Sequence, residues 1–141
     1  MEINKVTPED YSVLEKIGKE TLKIYYDQYD IQSLDNINNN ILLKGIMDNH
    51  IIGFIFCSDN DNNIHINSFA IKEEYQNKGY GTQFINKIKE YNKTLSLNTE
   101  EENHNAIQFY KKNEFQIKEL RYNYYENLKN SNAYFMKYDI N

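Results

Sequence analysis

The chain has 141 residues, a formal net charge of −5 and a pI of about 5.2, which predicts one acidic domain spanning residues 1–141. Nucleic-acid binders need a basic face, so we expect no nucleic-acid partner. No apolar run reaches the length of a membrane span, and the first residues do not form a signal-peptide pattern. Cys57 is the only cysteine, which excludes an intramolecular disulfide. We therefore expect a cytoplasmic protein, and the bias toward Lys, Asn and Ile indicates a bacterial AT-rich genome.

The first third of the chain predicts helices followed by a hairpin. Thr7 and Pro8 suit the start of a helix, as N-cap and first helical residue. A second short helix is predicted at residues 33–39, and strands at 41–47 and 51–57. The apolar stripe of the first helix consists of Leu14, Ile17, Thr21, Leu22, Ile24 and Tyr25. The turn of the hairpin consists of Asp48, Asn49 and His50.

The remainder alternates strands and helices. After a polar loop at residues 59–63, residues 64–71 alternate as a strand does, and apolar residues at 84, 85, 88 and 91 recur at helical spacing. A strand at 94–99, a helix at 103–110 and a closing strand pair at 115–125 and 133–140 follow. The order predicts a mixed sheet flanked by helices.

The connection between strand 64–71 and the next helix is rich in glycine. Gly79 and Gly81 allow a tight turn and a close approach of backbone N–H groups to a ligand. The N–H groups that begin a helix lack internal partners and attract anions. The segment 76–82 therefore predicts a phosphate-binding loop.

A second motif follows about twenty residues later. Asn103, Ala106 and Tyr110 occur at the spacing Asn-x-x-Ala-x-x-x-Tyr, after a Gln-x-x-Gly-x-Gly loop at Gln76, Gly79 and Gly81. With both motifs in this order, the chain resembles the GNAT family, the Gcn5-related N-acetyltransferases. An Arg-x-x-Tyr-Tyr segment at residues 121–125 and an Ala-x-x-Met strand at residues 133–136 make it most similar in pattern to the N-terminal acetyltransferases, including the ribosomal-protein-alanine type. The resemblance implies an α/β (α+β) GNAT fold, with a mixed, mostly antiparallel sheet of about six or seven strands and about four flanking helices.

The resemblance also implies acetyl-CoA as the donor, with no metal. The pyrophosphate would lie on backbone N–H groups of the glycine loop, and the pantetheine arm would pair with the preceding strand. Asn103 would bond the pantetheine or cap its own helix. The implied CoA-binding residues are Phe69, Ala70, Ile71, Gln76, Asn77, Lys78, Gly79, Tyr80, Gly81, Thr82, Asn103, Ala106 and Tyr110.

By the same resemblance Tyr110 is the general acid that protonates the departing thiolate. The alternative is a tyrosine that only packs, one of thirteen in the chain. In the ribosomal-alanine type a Glu on the preceding strand is the base, and Asn98, which cannot accept a proton, stands at that position. His65, Glu100 or a water chain are the candidate replacements.

Direct transfer of an acetyl group to a primary amine is the function these features indicate. The acidic composition suits a cationic acceptor, such as a peptide amino terminus, a polyamine or an aminoglycoside, and we expect a monomer or a homodimer. A non-catalytic module that binds or senses acyl-CoA is the alternative. A nucleotide sensor is less favoured because the Gly-x-Gly-x-x-Gly pattern is absent.

Overall fold

The structure, a computed structural model, describes residues 1–22, 31–35, 37, 39–125 and 131–140. These residues form seven strands and four α-helices, one of them only five residues long. The strands are β1 (Glu2–Lys5), β2 (Asn40–Met47), β3 (His50–Asp59), β4 (Asn63–Ile71), β5 (Thr94–Glu100), β6 (Gln116–Tyr125) and β7 (Ser131–Tyr138). The helices are α1 (Tyr11–Thr21), α2 (Ile31–Asp35), α3 (Tyr80–Lys89) and α4 (His104–Lys112).

All seven strands form one sheet in the order β1-β2-β3-β4-β5-β7-β6. The β4–β5 pair is parallel and the other five pairs are antiparallel, which confirms the predicted mixed, mostly antiparallel sheet. Strand β1 was not predicted. This four-residue edge strand is mostly exposed, so it lacks the alternation by which a strand is recognised.

The first helix begins later than predicted, because Asp10 and Thr7 cap a 3₁₀ turn in front of it. The carboxylate of Asp10 accepts hydrogen bonds from the backbone N–H and the hydroxyl of Thr7, at 2.8 and 2.9 Å. Pro8–Asp10 is that turn, and α1 follows it. Leu14 and Ile17 are buried as predicted.

Two further predictions concern the helical region. One is wrong in its bounds, and the other falls on residues outside those that the structure describes. The short helix lies at Ile31–Asp35 rather than at 33–39, and positions 36 and 38 lie outside the described residues. Ile24 and Tyr25, predicted to continue the apolar stripe of the first helix, also lie outside them.

The hairpin between β2 and β3 has a tighter turn than predicted. Asp48 and Asn49 have φ values of 49° and 66°, and two consecutive positive φ values are typical of a type I′ turn. His50 is consequently the first residue of β3 rather than part of the turn.

The two faces of the sheet carry separate cores. On one face Phe84, Ile85 and Ile88 of α3 pack against apolar residues of β3, β4 and β5. On the other face Leu14 and Ile17 of α1 pack against β2, β3 and α2. The predicted position 91 of the α3 stripe is wrong, since Tyr91 lies beyond the end of α3 and is exposed. No helix within the described ranges is long and apolar enough to cross a membrane.

The two middle strands β4 and β5 separate partway along their length. Their registered pairs run from Asn63↔Thr94 to Ile66↔Leu97, whereas β4 continues to Ile71 and β5 to Glu100. At the same point β4 carries a bulge, because Cys57 pairs with Ile66 and Phe56 with Ser68, which leaves Asn67 without a registered backbone partner on β3. The divergence opens a gap in the middle of the sheet.

Candidate active site

Two cavities meet at the gap between β4 and β5. One, here the α2 cavity, has a volume of about 410 Å³ and is lined by Ile31, Leu34, Phe54, Phe56, His65 and Tyr124 among others. The other, here the α4 cavity, has a volume of about 200 Å³ and is lined by Leu22, Phe69, Glu100, Asn103, Ala106 and Tyr110 among others. Five residues border both cavities: Ile66, Asn67, Ser68, Asn98 and Tyr125.

Among the described residues, the C-terminal half of β4 is paired along one backbone edge only. Residues 69–71 pair with β3 on one side, but beyond Ile66 they have no registered partner on β5. Backbone N–H and C=O groups on that edge are available to an extended ligand, as at any strand edge. Pantetheine is predicted to contact the backbone of Phe69, Ala70 and Ile71. This edge could provide such contacts, which stay predictions.

The glycine loop presents bare backbone in front of α3. Gly79 has a φ of 90°, and no described residue beyond its own stretch of chain lies within 4 Å of the position its Cβ would occupy; Asn77 has a φ of 62°. The N–H groups of residues 77–79 donate no hydrogen bond to any described residue. With the unpaired N–H groups of the first turn of α3, which begins at Tyr80, they form a surface suited to an anion. Lys78 is exposed beside it.

Two residues assigned to the loop by the motif have packing roles in the structure. The side-chain amide of Gln76 donates to the carbonyl of Ile71 at 2.8 Å, which ties the loop to the end of β4. A Cβ at Gly81 would lie 2.9 Å from the ring of Phe109. Gly81 therefore permits α3 to approach α4, whereas Gly79 is the glycine with open space.

Tyr80 packs against Tyr75, and Thr82 is half-buried in the first turn of α3.

Tyr110 borders the α4 cavity from the middle of α4. The carboxamide oxygen of Asn103 accepts from the N–H of Ala106 at 3.2 Å, which confirms the predicted helix cap. Tyr110 packs edge-on against Phe109 and Phe115, and its hydroxyl makes no hydrogen bond to a described residue. The side chain of Tyr110 is half-buried at the cavity. Burial, reinforced by the nearby Cys57 thiol, raises the pKa of the Tyr110 phenol, so it is protonated at physiological pH.

The two candidate bases lie in different cavities. His65 borders the α2 cavity, and its Nδ1 lies 2.8 Å from the hydroxyl oxygen of Ser96. Burial, and then the positive charge of Arg121, lowers the pKa of His65, which leaves the ring neutral at pH 7. Glu100 borders the α4 cavity instead. The structure therefore separates His65 from Glu100, a distinction that the sequence alone left open.

Asn98 belongs to a polar network that sequence reasoning missed. Its side-chain oxygen accepts from Nη1 of Arg121 at 3.0 Å, and its nitrogen donates to the hydroxyl of Tyr124 at 3.2 Å. Arg121 reaches Asn98 from β6 across the ring of Phe135 on β7, with 4.4 Å between the guanidinium carbon and the ring centroid. Two sequence signals pointed to these partners: Arg121 is the only Arg in the chain, and it begins the Arg-x-x-Tyr-Tyr segment that contains Tyr124. The position to which the resemblance assigns a catalytic Glu therefore holds an amide that is bonded to a positive charge.

Comparison with known proteins identifies the family. The model of the acetyltransferase (GNAT) family matches residues 8–115, so the chain belongs to the GNAT acetyltransferase family. A search of curated protein sequences found no significant match.

Solved structures support the fold over the whole chain. Ard1 from Thermoplasma volcanium is 28% identical, with a TM-score of 0.82 and coverage of 96% of this chain and 95% of that one. The ribosomal-protein-S18-alanine N-acetyltransferase from Escherichia coli is 17% identical, with a TM-score of 0.85 and coverage of 97% and 92%. Arabidopsis thaliana NAA60 in complex with acetyl-CoA is 19% identical, with a TM-score of 0.84 and coverage of 96% of each chain. NAA60 is also known in complex with a bisubstrate analogue.

Proposed function

We propose that this protein transfers an acetyl group from acetyl-CoA to a primary amine by direct attack. The donor lies in the α4 cavity, with its pyrophosphate at the loop 77–79 and its pantetheine arm along the free edge of β4. The acceptor enters the α2 cavity. The thioester and the amine then meet in the gap between β4 and β5.

The observation that carries the proposal is the junction of the two cavities. Five residues border both of them, including Ser68 on β4 and Asn98 on β5, so groups bound in the two cavities come together at the gap. Tyr110 borders one cavity and His65 the other. An acid on the donor side and a base on the acceptor side is the arrangement that transfer to an amine requires.

The chemical step divides between these two side chains. The neutral amine attacks the thioester carbonyl carbon, a C–N bond forms, and the C–S bond breaks. His65 takes the proton that the amine nitrogen loses, and the phenol of Tyr110 gives its proton to the departing thiolate. The raised pKa of Tyr110 is compatible with this transfer, because the same poorly solvated cavity also disfavours the thiolate.

A peptide amino terminus is the acceptor best supported by the lining of the α2 cavity. Ile31, Leu34, Phe54 and Phe56 give that cavity an apolar wall, which fits one apolar side chain next to the amine. None of its described lining residues is an Asp or Glu, the side chains that would pair with the extra ammonium groups of a polyamine. The known complex of NAA60 with a bisubstrate analogue and the substrate in the name of the E. coli enzyme are consistent with this acceptor.

The proposal is tested by following release of free thiol from acetyl-CoA across a panel of amines. The panel contains peptides with apolar, polar and acidic first residues, their Nα-blocked forms, spermidine and an aminoglycoside. We expect turnover with apolar free-amino peptides and none with the blocked forms. A preference for spermidine or the aminoglycoside would contradict the peptide assignment but not the transferase.

A non-catalytic acyl-CoA-binding module is the second candidate. Asn98 favours it, because this residue is held by Arg121 and Tyr124 and cannot act as a base. Tight CoA binding with no thiol release on any amine of the panel would support the module and exclude the transferase.

A further inference from the structure

A chain of hydrogen bonds runs through the sheet behind His65. The hydroxyl oxygen of Ser96 lies 2.8 Å from Nδ1 of His65 and accepts from the side-chain nitrogen of Asn63 at 2.9 Å. His65 and Ser96 are registered partners in the short parallel segment of β4 and β5, and Asn63 lies at the beginning of that segment. Ser96 is only 2% exposed, so water does not compete for its hydroxyl.

The protonation states of the two ring nitrogens of a histidine base explain why this contact matters. Before the reaction a base that works through Nε2 carries its proton on Nδ1, and after it has taken a proton both nitrogens are protonated. In both states Nδ1 is a donor and needs an acceptor. The Ser96 oxygen is at that position, and Nε2 makes no hydrogen bond to a described residue. We infer that Ser96 is a positioning residue, which keeps the Nδ1 proton of His65 in place and leaves Nε2 open to the acceptor amine.

Asn63 completes the chain on the other side of Ser96. A hydroxyl that accepts from His65 must direct its own proton elsewhere, and the Asn63 amide lies within reach. In the amide orientation described, Asn63 Oδ1 is a buried oxygen without a hydrogen-bond partner among the described residues. A half-turn of the amide would bring that oxygen to Ser96, where it would accept the hydroxyl proton. Asn63 can therefore bond Ser96 as donor or as acceptor, whichever the state of His65 requires.

The surroundings of His65 contain one fixed charge among the described groups that act on it. Arg121 of β6 disfavours the protonated ring. The neighbours on β3, β5 and α2 that line the same cavity have no carboxylate or amine: Ser58, Asn98, Ile31 and Leu34. Tyr124 and Tyr125 add phenols from β6. Which nitrogen carries the proton of the neutral ring is consequently determined by the partner of Nδ1 and not by a neighbouring carboxylate.

The first test measures the tautomer directly and needs no substrate. In ¹⁵N NMR spectra of histidine-labelled protein, the His65 signals, assigned by their loss in His65→Gln, should show the Nδ1-protonated form. Ser96→Ala should move the ring toward the Nε2-protonated form that prevails in free imidazole side chains. An Nε2-protonated ring in the wild type would overturn the inference, whatever the enzyme activity.

The second test rests on the proposed function and uses the preferred amine. Ser96→Ala should lower kcat/KM about tenfold, a part of the 10²–10⁴-fold that acid–base groups contribute, and should displace the acid limb of the pH profile, with CoA binding unchanged. Ser96→Thr keeps the hydroxyl and should recover most of the rate. Thr94→Ala is the matched control: it removes a hydroxyl from a half-buried residue on the same strand that is not among the lining residues of either cavity.

The outcomes separate the two proposals. A Ser96→Ala protein with wild-type tautomer, rate and pH profile would make Ser96 a structural residue only. A wild-type protein that acetylates no amine would refute the proposed function, while the NMR measurement would still decide the tautomer. If Ser96→Ala does not fold, the wild-type spectrum and the kinetics of Ser96→Thr show whether Ser96 positions the Nδ1 proton of His65.

Discussion

The α4 cavity and the α2 cavity adjoin at one gap but are built in different ways. The predicted donor contacts of the α4 cavity come from short contiguous stretches, the strand end 69–71, the loop 76–82 and the helix 103–110, and they use backbone groups extensively. The α2 cavity is assembled from side chains of α2, β3, β4, β5 and β6. Two polar contacts at this cavity are His65 with Ser96 and Asn98 with Arg121. The partners are separated in the chain by 31 and 23 positions respectively. A site made of local backbone can be recognised from spacing, whereas a site made of distant side chains requires the fold.

The largest effect should come from removing the acid on the donor side. Tyr110→Phe keeps the ring that packs against Phe115, so CoA affinity should stay within a factor of two. The rate of thiol release should fall about a hundredfold or more, which corresponds to roughly 3 kcal/mol of transition-state stabilisation. Tyr138→Phe, a half-buried tyrosine that packs on the other side of Phe115, is the control. Donors with more acidic thiols should recover part of the loss, and equal rates for wild type and Tyr110→Phe would reduce Tyr110 to packing.

The next largest effect concerns the backbone surface of the loop. At about 100 times Kd, CoA should stabilise the folded protein by about 2.7 kcal/mol, or roughly 5–10 °C in melting temperature. Gly79→Val should abolish that shift, because the side chain enters the open space at a φ of 90°. Asn92→Val imposes comparable backbone strain at an exposed residue with a φ of 58° and should retain the shift. A full CoA shift in Gly79→Val would place the pyrophosphate elsewhere.

A charge change on the acceptor side should alter the pH dependence more than the maximal rate. Burial and then the positive charge of Arg121 lower the pKa of His65, and Arg121→Gln removes the second of these causes. The pKa of His65 should therefore rise. Because the base works only when it is unprotonated, the acid limb of kcat/KM should move toward higher pH, with the plateau little changed. The pH profile measures this, and Lys118→Gln, an exposed charge on the same strand, should leave it in place. An unmoved limb in Arg121→Gln would indicate that His65 is not the titrating base.

The smallest effect should arise from loosening α2. The hydroxyl of Tyr11 on α1 donates to the carboxylate of Asp35 at 2.6 Å, and Glu15 accepts from the N–H of Ile31 at 3.3 Å. Losing the first bond weakens the attachment of α2 to α1. Tyr11→Phe should therefore raise KM for the acceptor a few-fold and leave the CoA shift unchanged. Tyr122→Phe, at an exposed position, is the control, and a weakened CoA shift in Tyr11→Phe would contradict the separation of the cavities.

The sequence predicted the parts of the fold that are set by local chemistry. The strand and helix around the glycine loop, the Asn103 cap and the closing strand pair follow from periodicity and spacing, and the structure confirms them. The different roles of Gly79 and Gly81 could not be predicted, because the second depends on Phe109 in another helix. The hydrogen-bond partners of His65 and Asn98 could not be predicted either, because they lie on other strands. Side-chain hydrogen bonds across a sheet depend on strand order and register, which one sequence does not display.

The bulge at Asn67 has a consequence for which changes in chain length this fold can absorb. Side chains of a strand alternate between its faces, and the extra residue resets that alternation: Ile64 and Ile66 share a face with Phe69 and Ile71 rather than with residue 70. Deleting Asn67 would not simply shorten the strand. It would exchange the faces of every later residue of β4 relative to His65, with the ring of Phe69 moved to the α2 side and Ala70 to the side of α3. Among homologous chains, β4 is therefore expected to vary in residue type but to keep its length.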